Sequence, residues 1–411
     1  KTLGFSIKFD GKSIVENCQI AMNTSLGNFG VNPKLVSKSF SSVKKEINPV
    51  WANKNKILDS YNRLLLKFDG FSVEFRAYDD TFAYRFICDK KGEIIVNSET
   101  AKYPFDGAMD AYPQKVGSFH CWFEDVYRRM KLCEISKHMP MAALPFVFDA
   151  GNVKVAILDS DVSEYPKMNL KFSENGEIQG AFAPYPKEFE NKGRLFMPKS
   201  TEDFIAKSSA TRTFPWRAML FARTDAELVE NSIQYKLASP SKIKDASWIE
   251  TGTCAWDWWN DWNIDGVDFK AGINNDTYKY YIDFAAAKGI EYVILDEGWA
   301  VNKKADLMQI VPEIDLPAIV EYGRQKGVGI ILWAGYWAFD RDMENVCKHY
   351  SEMGVKGFKV DFMDRDDQQM TAFNHRAAET AARYGLILDL HGTHKPAGLN
   401  RTWPNVLNFE G

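Results

Sequence analysis

The chain has 411 residues, with 51 basic and 55 acidic side chains and a formal net charge of −4. That length exceeds one ordinary core, so two or more domains are expected. The balanced charge gives no basic footprint for nucleic acid, and no run of roughly 18 apolar residues suggests a membrane-spanning helix. The aromatic content is high, with 12 Trp, 17 Tyr and 28 Phe. Such side chains fill large cores, and they also line clefts that stack against sugar rings. Six cysteines lie scattered, without metal-ligand spacing or a C-x-x-C pair, and read as buried thiols. The chain begins at Lys1, as a mature or trimmed protein would, so a removed signal peptide is the expectation.

In chain order, the first half reads as strand. SIVENCQIAM, GFSVEFRAY, FAYRFICD, GEIIVNSE and GNVKVAILD alternate or run apolar, with β-branched and aromatic residues. Turn signals separate them at Phe9-Asp10-Gly11, Phe68-Asp69-Gly70, Lys90-Lys91-Gly92 and Glu174-Asn175-Gly176. Residues 1–240 therefore read as a large antiparallel sandwich. LASPSKIKDAS (237–247) is polar and turn-rich and reads as a linker.

From Trp248 strands and helices alternate. Strands are expected in SWIETGTCAWDWW, IEYVILDEGW, VGIILWAGYW, VKGFKVDFM, LILDLHGT and NVLNFEG. Helices are expected in TYKYYIDFAAAKG, LPAIVEYGRQKG, DMENVCKHYSEMG and QQMTAFNHRAAETAARYG. Strict alternation means parallel βαβ units. A doubly wound sheet is the alternative, but no Gly-rich phosphate loop follows the first strand. The expectation is multidomain β + α/β: an antiparallel sandwich, then residues 241–411 as a (β/α)8 (TIM) barrel. Only its first six strands are present, with the remainder supplied by a C-terminal part of the same protein.

The strand ends hold the chemistry. They carry Asp257, Trp258 and Trp259; Asp296, Glu297 and Trp299; Trp333, Tyr336 and Trp337; Lys359, Asp361 and Asp364; Asp389, His391 and His394; and Asn408 and Glu410. Burying an unpaired carboxylate costs several kcal/mol, so converging acids at the carboxyl ends of barrel strands describe a site. Acids, indoles, a lysine and histidines together describe sugar binding and glycosyl transfer. The structural alternative for Asp361 is an ion pair with Lys359 or Arg365.

With a sandwich in front of them, the strings LDEGW, FKVDFM, DLHGTHKPAG, RTWPNV and NFEG resemble glycoside hydrolase family 97, as does DSDVSEYPKMNL (159–170). The resemblance covers essentially the whole chain. It implies a β-super-sandwich followed by a TIM barrel, and a calcium-dependent enzyme of bacterial glycan breakdown, either an inverting α-glucosidase or a retaining α-galactosidase. The inverting branch carries a base glutamate after the histidine of the fifth strand, where this chain has Gly392. The retaining branch carries a nucleophilic aspartate at the end of the fourth strand, where this chain has Asp361. The implied function is a retaining, exo-acting α-galactosidase that removes terminal α-linked galactose from an oligosaccharide or glycoside. The acid/base glutamate is expected just beyond Gly411. By motif position Glu297, Trp299, Lys359, His391 and Asp296 would contact substrate. Glu410 would bind Ca2+, as would Asp159, in a slot where glutamate is usual. His394 and Lys395 would lie at the rim. The glycan-degrading role implies a periplasmic protein. The alternatives are an inverting α-glucosidase of the same family and a non-catalytic carbohydrate-binding protein.

Overall fold

The computed structural model describes residues 1–192, 195–301 and 306–410. Gly411, the last residue of the Asn-Phe-Glu-Gly string, lies outside the described residues. Up to Ala222 the chain is chiefly antiparallel strand, in a nine-stranded and a ten-stranded sheet. In Glu93–Pro104, Ile94 and Val96 and then Ala101 and Tyr103 are buried between more exposed neighbours. That period of two lets a strand bury one face. Ile20, Ile94 and Leu170 of one sheet share a core with Val73, Phe146 and Ile157 of the other. Each such side chain stabilises the fold by about 1.5–3 kcal/mol. Leu35–Ile47 and Ile57–Phe68 pair as a further antiparallel hairpin beyond the strands the sequence pattern marks. Its outer strand is exposed almost throughout, so burial wrote no alternation into it.

The second half forms a six-stranded parallel sheet whose strands follow one another in chain order: Cys254–Trp256, Tyr292–Leu295, Gly329–Gly335, Gly357–Asp361, Ile387–Leu390 and Val406–Phe409. The four expected helices are Asn275–Lys288, Leu316–Lys326, Met343–Met353 and Gln368–Arg383. Their ends follow local chemistry. Asn274 accepts from Thr277 N and Asp315 from Ala318 N, while Gly289 and Gly327 take left-handed φ of 70° and 74° as C-caps. The third strand stops at Gly335, and Tyr336–Arg341 is a helix. The sequence pattern continues the strand through Tyr336 and Trp337, because a short apolar run does not separate strand from helix.

Alternation along the fourth strand sorts its side chains. Phe358 and Val360 join the helix-side core with Phe339 and Tyr350. Lys359 and Asp361 take the opposite face. On that face Tyr292, Ile294, Ile331 and Ile387 form a small apolar layer with Trp256, below the charged strand ends.

The expected linker is irregular in structure but closely bonded. Lys242 N donates to Thr402 O and Thr402 Oγ1 to Ser239 O, each at 3.0 Å, and Arg401 reaches Ala238 O at 2.6 Å. Inside the sandwich Asp159 is fully buried. Lys167 and Met168 N donate to it, and an Arg217 guanidinium nitrogen lies 3.5 Å away. Arg217 also forks onto Glu99 with two bonds of 2.8 Å. Asp159→Ala would leave buried cations underneutralised. It is expected to cost about 3–5 kcal/mol, read as a lower urea midpoint, with a smaller loss for Asp159→Asn.

Candidate active site

Register aligns Trp333, Lys359, Asp389 and Asn408 across four neighbouring strands. Each strand then runs on toward the site. Lys359 Nζ donates to Asp296 Oδ2 at 2.7 Å and lies 3.4 Å from Asp361 Oδ2. It also stands over the Trp256 ring, 4.4 Å from the centroid. Trp256 Nε1 donates to the same Asp296 oxygen at 2.6 Å. Burial works against the Lys359 charge, but Asp296 and Asp361 outweigh it and raise the ammonium above its usual range. Behind them Asp257 accepts from Asp296 N. Burial, reinforced by the charge of Asp296, pushes Asp257 up to about 7.

Asp361 closes the fourth strand. Trp333 Nε1 donates to its Oδ2 at 3.1 Å and Phe362 N to its Oδ1 at 2.6 Å, which fixes the carboxylate's direction. Across from it, His391 Nε2 lies 3.0 Å from Asp389 Oδ2 and Nδ1 lies 2.9 Å from Glu410 Oε2. Burial disfavours the imidazolium, yet the Asp389 and Glu410 carboxylates prevail and raise His391 to about 9. Asp361, His391 and Glu410 offer ligand atoms that all lie within 4.8 Å of one another.

Two further carboxyls face this group. Glu124 comes from a sandwich loop. Burial, then the charges of Glu410 and Asp361, raise it above the usual carboxylate range. Asp364 is raised to about 7 by burial and then by Asp361, Glu124 and Glu410. Mutual repulsion of this kind marks negative charge that a cation would relieve. An oxygen-rich set of carboxylates suits a hard ion such as calcium. The loop bearing Glu124 is fastened to the site: Cys121 N donates to Asp364 O at 2.9 Å, and Gln114 Nε2 holds Phe123 O and Asp125 O.

The structure thus brings Asp361, Lys359, Asp296, His391 and Glu410 together, with Glu297 half-buried beside Asp296, its N–H bonded to Asp296 Oδ1 at 2.7 Å. Trp299 is a correction. It lies in the helix-side core with Val293 and Leu295, fully buried against Tyr350 with Nε1 bonded to Trp333 O, so it does not flank a ligand here. Asp159 is a second correction, because it belongs to the sandwich network with Lys167 and Arg217 and not to the carboxylate cluster. His394 is buried and not at the rim. Burial pushes it down to about 4. The sequence carries no sign of Glu124, which lies about 240 residues from Asp361 in a loop without a pattern of its own.

Gly392 has left-handed φ of 58°, and a Cβ built there would stand 2.6 Å from Asp364 Oδ1. The carboxyl of Asp364 therefore occupies the space that a side chain at 392 would need.

Residues 258–411 match the family model for glycoside hydrolase 97, and residues 1–240 match the model for the glycosyl-hydrolase 97 N-terminal region. The chain belongs to glycoside hydrolase family 97. It is 52% identical to a retaining alpha-galactosidase of Bacteroides thetaiotaomicron, an alignment covering 100% of this chain and 64% of the relative. The chain thus spans less than two thirds of that relative's length. A family 97 enzyme from Pseudoalteromonas sp. strain K8, solved with acarbose, superposes with TM-score 0.86 at 21% identity, over 99% of this chain and 66% of the other. A beta-arabinopyranosidase superposes with TM-score 0.81 at 23% identity, over 97% of this chain and 65% of the other. At those identities the two structures attest the fold.

His391 yields a pH prediction. Its folded value of about 9 lies above the ordinary 6.5, so its contribution to stability is complete below pH 6.5 and is lost as pH rises through about 9. In calcium-free protein the unfolding midpoint should fall between pH 7 and 10, and His391→Gln should flatten that slope.

Proposed function

We propose that this chain carries the nucleophile and the galactose- and calcium-binding groups of a retaining, exo-acting α-galactosidase. The observation that carries the reading is Asp361, held by two N–H donors at the end of the fourth parallel strand, with no side chain at 392 to serve as an inverting base. The 52% identity to a retaining alpha-galactosidase supports it. In this reading the six parallel strands are the first six of a (β/α)8 barrel covering 241–411, and 1–240 is the sandwich domain. The protein is periplasmic, and a signal sequence in the gene product tests that.

Galactose enters with its anomeric carbon toward Asp361. Asp296, Glu297 and His391 exchange hydrogen bonds with its hydroxyls, and Lys359 donates to one of them. An Asp361 oxygen attacks the anomeric carbon as the glycosidic bond breaks, forming a glycosyl ester. Water then cleaves that ester with a second inversion, giving net retention. The leaving oxygen needs a proton from a general-acid carboxyl. Calcium held by Glu410 and Glu124 would supply positive charge that binds and orients a sugar hydroxyl.

In the full-length protein Asp361→Asn should lower kcat/KM for α-galactosides by at least about 10³-fold. Asp361→Gly with added azide should recover turnover and yield β-galactosyl azide. Wild-type activity in the Asn variant would refute the reading. Chelation should also abolish activity, with recovery on adding Ca2+ but not Na+.

A further inference from the structure

Asp361 holds two hydrogen bonds of different origin. Phe362 N donates to Oδ1 at 2.6 Å, a contact that belongs to the turn itself. Trp333 Nε1 donates to Oδ2 at 3.1 Å from the neighbouring strand. Lys359 Nζ stands 3.4 Å from the same oxygen, but its short bond of 2.7 Å goes to Asp296. Among the described residues the indole N–H is therefore the side-chain donor committed to Asp361.

Packing keeps that indole in place. Trp333 is 3% exposed, and its carbonyl accepts from Trp299 Nε1 at 2.9 Å. Phe362 meets its ring near edge-on, with 6.0 Å between centroids. A Cβ built on Gly335 would stand 3.2 Å from Trp333 Cη2, so glycine there leaves the ring its room. The third strand runs between the second and the fourth. Strands that complete a barrel would join the sheet at its first and sixth strands, which leaves this contact interior in a longer protein too.

The charge on Asp361 changes through the two steps of the reaction. It is an anion before attack, part of a neutral ester in the intermediate, and an anion again once water displaces it. A hydrogen bond to an ionised acceptor is roughly twice as strong as one to a neutral acceptor. A bond that strengthens toward the transition state speeds a step, and one that weakens slows it. The Trp333 N–H therefore resists formation of the ester and favours its cleavage. In the attack that resistance is offset by orientation, since a fixed carboxylate needs no rotation to reach the anomeric carbon. In the cleavage nothing offsets the gain.

We propose that Trp333 is a positioning residue whose indole N–H speeds release of the sugar from Asp361. The inference rests on the reading of Asp361 as nucleophile. In the release step a water oxygen bonds to the anomeric carbon while the ester C–O bond breaks, and its electron pair returns to Asp361. The proton of that water passes to the carboxylate left when the general acid gave up its own. Both Asp361 oxygens share the regained charge, so the bond to Oδ2 counts whichever oxygen carried the sugar.

The test uses 5-fluoro-α-galactosyl fluoride on the full-length protein. This reagent forms the ester and lets it hydrolyse slowly, so attack is read as inactivation and release as return of activity. Replacing Trp333 by 3-benzothienylalanine keeps the bicyclic shape and puts sulfur in place of the N–H. Return of activity should slow about tenfold, while inactivation stays within about threefold. Trp333→Phe should show the same split. Equal slowing of both steps, greater slowing of attack, or unchanged release would overturn the inference and leave Asp361 in place. No inactivation of the unaltered protein, or a label on a residue other than Asp361, would overturn the Asp361 reading and this inference with it.

Discussion

The burial of the segment Asp364–Asp367 governs the rest of the site. Arg365 forks onto Asp367 with bonds of 2.7 and 3.0 Å, and Asp367 caps the following helix through Gln369 N and Met370 N. Asp366 accepts from Asn169 Nδ2, and Lys167 N and Cys121 N donate to the carbonyls of Asp366 and Asp364. Charges this deep are stable only when paired and hydrogen-bonded. Several of the partners come from the sandwich, so that domain helps fix a segment beginning three residues after Asp361. The left-handed backbone at Phe362 and Asp364, with φ of 61° and 47°, is tolerated because these bonds over-determine it.

Charge at the site is lopsided. Lys359 and His391 face Asp296, Asp361, Asp389 and Glu410 at the strand ends, with Glu124 and Asp364 across from them. Such a surface repels anions and is rich in acceptors, which suits a neutral ligand bearing hydroxyl donors. It also explains why the cations sit where they do. Each is held between two carboxylates, so neither is left alone in a buried place.

The parallel half was legible because its helices announce both ends, at Asn274 and Gly289 or at Asp315 and Gly327, and because acids break otherwise apolar strands. Asp361, Lys359, Asp296, His391 and Glu410 could be placed from strand ends alone. Trp299 could not. It shares the helix-side core with Val293 and Leu295, and a string of letters does not disclose which face a side chain takes once the strand has ended. Glu124 and the exposed hairpin were invisible for a different reason. Proximity across about 240 residues and solvent exposure leave no periodic trace.

The bonds between the halves bear on inheritance. Thr371 Oγ1 donates to Tyr165 O, Asp161 N to Ala397 O, Trp51 Nε1 to Pro404 O, and Lys207 and Gln368 exchange two bonds. A gene rearrangement that moved the parallel half without its sandwich would strand these groups and remove Glu124 from the carboxylate cluster at the strand ends. The two halves therefore depend on each other for buried hydrogen-bond partners, and a change that spares those partners has its room in the loops between the strands.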